Sequence, residues 1–171
     1  IVEVCHPEGA DLQPVYRVMT RYMWTGVGQP ELLPQVVHLV RDVWACRRVV
    51  VDATGLGAGL ASALRRILPP RCVIPFVFTA ASKSALGWDF LSLCAAGRFL
   101  DHANDGSREQ ALFWTQVAEC EYEPLPGTGQ QIRWGVSGAT HDDLLMSAAL
   151  VARLDAEDLR PRVARGHDQG S

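Results

Sequence analysis

Apolar positions recur along this chain in two rhythms, and the switches between them mark out strands and helices. Ile1 to Cys5 and Val15 to Trp24 carry the β-branched and aromatic content of strands, and a polar turn around Pro7, Gly9 and Asp11 separates them. The pair reads as an antiparallel hairpin. From Pro30 to Trp44 the apolar positions Leu33, Val36, Val37, Val40, Val43 and Trp44 follow helical spacing, with Pro30 and Pro34 in a tolerant first turn. Arg48 to Ala53 is then a continuous β-branched run, the pattern of a strand buried on both faces of a parallel sheet. Leu56, Leu60, Ala63, Leu64, Ile67 and Leu68 mark the next helix, which Pro69 and Pro70 close.

The second half repeats the alternation. Cys72 to Phe78 is an apolar strand in which Pro75 points to a sheet edge. A helix begins near Ser82, passes through Leu86, Phe90, Leu93 and Cys94, and stops at Gly97; Arg98 to Leu100 is a short strand. Ser107 to Gln110 resembles a capping box opening a helix with Phe113, Trp114 and Val117. Glu119 to Leu125 and Gln130 to Trp134 flank the turn residues Pro126 to Gly129 and predict a second hairpin. Thr140 to about Leu154 is the last helix. The expected fold class is α/β: a mixed sheet, with an antiparallel hairpin at the start, flanked by helices. Residues 1–155 form the expected domain, and 156–171 a charged, mobile tail.

Composition narrows the reading only a little. The 171 residues suit one domain, and 48% hydrophobic with 20% charged content is ordinary for a globular protein. No apolar run is long enough for a membrane span, and no signal-peptide pattern opens the chain, so no membrane partner is expected. Five scattered cysteines without a C-x-x-C pair read as small hydrophobes in a reducing compartment. All the basic residues but Lys83 are Arg, which favours bidentate contacts to phosphate or carboxylate. The net charge of −3 requires that any grip on nucleic acid come from a local patch, bound metal or a partner domain.

Candidate chemistry begins at Asp52, which ends the strand Val49-Val50-Val51 at the edge where open α/β sheets place their sites. The glycines that follow, Gly55, Gly57 and Gly59, do not match the G-x-G-x-x-G fingerprint, and no G-K-[ST] sequence occurs; a nucleotide loop and a plain packing turn stand as alternatives for this stretch. His141-Asp142-Asp143 lies at a helix start. Thr140 with Asp143 resembles a capping box, so Asp143 has a structural explanation, whereas Asp142, expected at the second helical position, points outward as the better ligand. Distant carboxylates on one sheet edge suit a hard divalent cation that activates water against phosphodiesters. His141 could steady a carboxylate or phosphate. Lys83, Arg98 and Arg133 are candidate phosphate contacts. Trp24, Trp88, Trp114 and Trp134 read as core or half-buried packing, and His38 as structural.

Three blocks, VVVDATGLGAGL, PFVFTAASKSALGWDFLSLCAAGRF and GATHDDLLMSAALVA, resemble in order the nuclease domain of the large terminase subunit of tailed bacteriophages and related prophages. The resemblance implies an RNase H-like fold and an acidic cluster binding Mg²⁺ or Mn²⁺, as a pair of ions, to cut concatemeric double-stranded DNA during packaging. It places Asp52 at the second acidic position and Asp142 and Asp143 at the last. It also implies a first strand with a further Asp preceding a segment like Ile1 to Val4; that strand is expected to be missing, and Glu3 is not assigned in its place. Implied partners are DNA, the terminase ATPase domain, the small terminase subunit and the portal, in the cytoplasm of a bacterial host. Two rivals stay open: a catalytically silent docking domain, and another RNase H-like enzyme such as a resolvase or transposase core.

Overall fold

The computed structural model describes residues 1–7, 13–127, 129–137, 141–157 and 159. The opening hairpin forms from β1 (Val2–Cys5) and β2 (Val15–Val18), antiparallel with Val2 opposite Val18 and Glu3 opposite Arg17. Its turn residues Gly9 and Asp11 lie outside the described residues. β2 is shorter than its alternation suggests; just beyond it Met19 N donates to Ile1 O and Ile1 N to Thr20 O, each at 2.9 Å. The chain then crosses to the helical layer, where Trp24 Nε1 donates to Gln35 Oε1 and Trp44 Nε1 to Tyr22 Oη, each at 3.0 Å.

α1 (Gln29–Val37) takes Pro30 at its start as expected but carries Pro34 in its interior. It runs into a π-helical turn at His38–Val43, closed by Trp44 N to Leu39 O, rather than continuing as one α-helix. His38 is exposed there and pairs with Asp42. β3 (Val49–Asp52) and β4 (Val73–Phe76) pair in parallel, joined by α2 (Gly57–Ile67), the unit expected from the sequence. α3 (Ala80–Ala95) starts two residues before the predicted Ser82 because Thr79 forms a full capping box with Ser82. Gly97, in the left-handed region, follows its end. β5 (Phe99–Leu100) adds in parallel to β2.

α4 (Arg108–Ala118) is capped by Ser107 Oγ, but Gln110 does not close the box; its side chain reaches Asp101 and the Asp105 amide instead. β6 (Cys120–Pro124) and β7 (Ile132–Val136) form the second hairpin. α5 (Asp143–Ala149) then tightens into a 3₁₀ segment at Leu150–Ala156. Most of the expected tail lies outside the described residues, but its first part is docked: Glu157 pairs with Arg48, and Leu159 is buried with its carbonyl accepting from Arg47.

Strand alternation builds two cores. Val50, Ile74 and Phe76 face one side and pack with α3, α4, α5 and the 3₁₀ segment through Leu86, Phe90, Phe113, Leu145 and Val151. Val49, Val51 and Val73 face the other side, against Val37, Val40, Ala61 and Leu64. A strand pair covered on both faces needs apolar residues at consecutive positions, which is why no polar residue interrupts Val49 to Val51. Trp134 is buried in the first core, whereas Trp88 and Trp114 stay exposed; of the cysteines only Cys72 is fully buried and Cys94 is exposed.

β7 is locked to α3 by an unusually close contact. A Cβ on Gly87 would stand 2.4 Å from Trp134 Nε1, whose proton goes to Lys83 O. Gly87→Ala therefore forces the indole off α3, and thermal unfolding is expected to show a loss of about 1–3 kcal/mol from overpacking. An unchanged melting temperature would mean that the hairpin is free to move.

Candidate active site

Asp52 closes β3, opposite Phe76 of β4, and its carboxylate is exposed. Its Oδ1 accepts from Thr54 N at 2.8 Å, and Thr54 Oγ1 accepts from Phe78 N at 2.8 Å, so one local turn ties the ends of both parallel strands. Gly55 is in the left-handed region, and a Cβ on Gly57 would lie 2.2 Å from Asp52 O. Two of the three glycines thus let α2 start hard against the strand end. The packing-turn reading of DATGLGAGL accounts for these positions.

Asp142 is the N-cap of α5 rather than its second helical residue, and Asp143 is the first residue of the helix. The Asp142 carboxylate makes no capping bond. It faces Lys83 of α3 instead, with Nζ to Oδ2 at 3.2 Å and both side chains about one-third exposed, at 34% and 27%. The helix start is held from elsewhere: Leu145 N donates to Oε1 of the buried Gln116 of α4 at 2.9 Å. Thr140 lies outside the described residues, so the Thr140–Asp143 capping box does too. Asp143 and His141 are exposed.

β7 closes the other side of this pair. A Cβ on Gly135 would lie 2.8 Å from Asp142 Oδ2 and 3.3 Å from Lys83 Nζ, and its φ of 143° is one that L side chains rarely adopt. The Lys83 ammonium is 5.7 Å from the Trp134 ring centroid. Lys83, Asp142, Trp134 and Gly135 form one tight cluster from α3, the start of α5 and β7. Burial pushes the nearby Cys120 thiol up, opposed by the Gly135 backbone, with the Asp142 carboxylate raising it and the Lys83 ammonium lowering it in smaller measure.

The expected three-carboxylate cluster is not assembled. Among the described residues no group of three or more His, Cys, Asp or Glu side chains is placed to hold a metal ion, and Asp52, Asp142 and Asp143 are no exception. The donors have the right chemistry for a hard cation, but one carboxylate is spent on a turn amide and another on an ammonium.

Of the expected phosphate contacts, Lys83 is at the site. Arg98 is committed to the interior, donating to Pro14 O and pairing with Asp155, which also accepts from the Tyr16 hydroxyl. Arg133 is well exposed on the second hairpin and pairs with the exposed Glu123. Gly135 and Gln116 were not singled out by sequence, and Trp134 was read as packing rather than as part of a site. Only the positive φ of Gly135 has a residue-type signal, a glycine inside a strand, which marks close backbone approach.

No protein-family model matches the sequence, and no curated protein matches it by sequence. Among solved structures, the fold is similar to the large terminase nuclease from thermophilic phage G20c, determined with bound magnesium. The TM-score is 0.57 at 19% identity, over 75% of this chain and 62% of that one. The chain thus spans less than two-thirds of the nuclease it matches. The likeness supports the mixed α/β fold with flanking helices, consistent with the RNase H-like expectation.

Proposed function

We propose that this chain is the nuclease domain of a phage or prophage DNA-packaging terminase, an endonuclease that hydrolyses phosphodiester bonds of double-stranded concatemeric DNA. The observation that carries the reading is Asp52 at the carboxyl edge of a parallel strand, in a fold similar to a terminase nuclease. Fold alone does not imply function, so the weight rests on the residues. Asp52, Asp142 and Asp143 are the proposed acidic groups, and Mg²⁺ or Mn²⁺, as one or two ions, the proposed cofactor. Because the described residues do not gather three ligands, the cation needs at least one further oxygen donor. Lys83, Arg133 and His141 are proposed to contact phosphate. The proposed setting is the cytoplasm of a bacterial host, beside a terminase ATPase domain, a small terminase subunit and a portal. Among the described residues no helix is long and apolar enough to cross a membrane.

The missing ligand trio favours a second reading, a docking domain that keeps the fold and has no activity. Nicking of supercoiled plasmid separates them. The nuclease reading expects nicked and linear products with Mg²⁺ or Mn²⁺ and none with excess EDTA. Intact plasmid under every metal condition supports the docking domain, and cleavage that survives EDTA removes the metal from the proposal.

A further inference from the structure

Charge is distributed unevenly along this chain. From Ala53 to Trp88 there is no Asp or Glu, while Arg65, Arg66, Arg71 and Lys83 fall within that stretch, against a net charge of −3 for the whole molecule. The stretch covers α2, β4 and the first half of α3, the elements that follow directly on Asp52. A chain that is acidic overall thus carries a region of one positive sign beside its candidate carboxylate.

Two of these charges share a groove. Ala58, Ala61, Ser62, Arg65 and Arg66 recur at helical spacing on one face of α2, and with Ala53 and Pro75 they line an open space of about 450 Å³. Alanine and serine form its floor, short enough for a bulky chain to lie close to the helix. Arg65 and Arg66 are exposed, and among the described residues neither makes an ion pair or a side-chain hydrogen bond. By contrast Arg17, Arg21, Arg41, Arg48, Arg98 and Arg133 each have a carboxylate partner. The dipole of α2 favours basic residues in its last turn, but it does not account for the lack of any carboxylate on α2 or β4 to pair with them.

The lining selects the occupant. Phe76 O accepts from Ala53 N, so its neighbour Pro75 turns to the other edge of β4, where it offers no amide and an added peptide strand would lose its pairing. No aromatic ring lines the space, so nothing there stacks on a base or a planar ligand. What fits is an anionic backbone, gripped by planar guanidinium groups that bind phosphate oxygens in pairs. Ala58, at the start of α2, and Arg65 are seven residues apart, about 10 Å along the helix. Duplex DNA rises about 3.4 Å per base pair, so that length matches about three base-pair steps.

We propose that this groove holds the sugar-phosphate backbone of duplex DNA beside the cleavage point, with Arg65 and Arg66 each pairing with a phosphate about three base pairs from the Asp52 end. The contacts carry no sequence preference, because they reach phosphates and not base edges. The identity of the polymer rests on the nuclease reading; the surface that holds it rests on the groove.

The test titrates a short fluorescein-labelled duplex with the 171-residue chain in EDTA, where metal-dependent cutting cannot contribute, and reads anisotropy across a salt series. The double variant Arg65→Gln, Arg66→Gln is expected to raise Kd about tenfold or more and to lower the slope of log K against log salt by about 2. Gln keeps the helix propensity of Arg, so the melting temperature should match the parent's. A control, Arg17→Gln with Arg41→Gln, removes the same charge outside the groove and should change Kd by less than about twofold. Equal losses in both double variants would show a response to net charge alone and overturn the proposal. A parent chain that does not bind the duplex overturns it as well. So does poly-glutamate that displaces the duplex as readily as unlabelled DNA, which assigns the groove to an acidic protein segment. The nuclease reading fails separately: a parent that binds through the groove but leaves plasmid intact with Mg²⁺ or Mn²⁺ keeps this proposal and loses that one.

Discussion

Asp52→Asn is expected to cleave plasmid DNA at least about 100-fold more slowly than the parent chain, on the scale of losing one group that stabilises charge in a transition state. Its melting temperature should stay unchanged. The substitution is chosen because Asn keeps an oxygen where Asp52 Oδ1 accepts from Thr54 N, so the turn that ties β3 to β4 survives and only the charge is lost. A carboxylate whose role is confined to that turn predicts the opposite pattern, full activity and full stability. Asp142→Asn should show the same fall in rate. There the pair with Lys83 is partly exposed, so its stability cost is limited to about 0–1 kcal/mol. Parent-like rates in both variants would remove Asp52 and Asp142 from the proposed site while leaving the fold assignment intact.

Asp101→Ala is expected to cost about 3–5 kcal/mol of stability, the typical penalty for leaving one member of a buried ion pair alone. Arg21 Nη2 and Asp101 Oδ1 are 2.7 Å apart, with side-chain exposures of 8% and 9%. They meet off-axis, so neither atom completes a hydrogen bond and charge holds them. Around them Arg21 Nη1 contacts His102 Nε2, the guanidinium lies 4.1 Å from the Phe113 ring centroid, and Gln110 Nε2 donates to Asp101 Oδ2. Removing the carboxylate strands a guanidinium beside an aromatic core. Chemical denaturation of Asp101→Ala beside the double variant Arg21→Met, Asp101→Leu tests the cause. The double variant should recover most of the loss, because an apolar pair of similar volume has no charge to bury. A double variant as unstable as the single one would point to packing instead.

Neither partner of that pair stands out in the sequence. Arg21 falls in a stretch that reads as strand, and Asp101 follows a short one; their approach depends on β5 adding beside β2 and on α4 folding over both. The elements themselves were far more legible. Strand-type residue content located β1 and the start of β2, continuous apolar runs located β3 and β4, and period-3.6 runs located α1 to α4, because each signal comes from which faces an element buries along its own length. Boundaries moved where a side chain outside the periodic run decided them. Thr79 starts α3 early, and Gln110 turns away from its expected capping box toward Asp101.

The candidate site divides along the same line. Sequence by itself determined that Asp52 ends a buried parallel strand and that Asp142 and Asp143 begin a helix, since an abrupt change from apolar to acidic at an element boundary is a local event. Tertiary structure alone decided what those carboxylates meet. The Lys83–Asp142 pair joins residues 59 positions apart, and Gly135 makes room for it from a third element. It also decided that no trio of ligands is gathered among the described residues, and that Arg65 and Arg66 share a groove with Ala53 and Pro75. Such facts depend on packing distances of a few ångströms between elements distant in sequence, and periodicity, which records only orientation within each element, carries no trace of them.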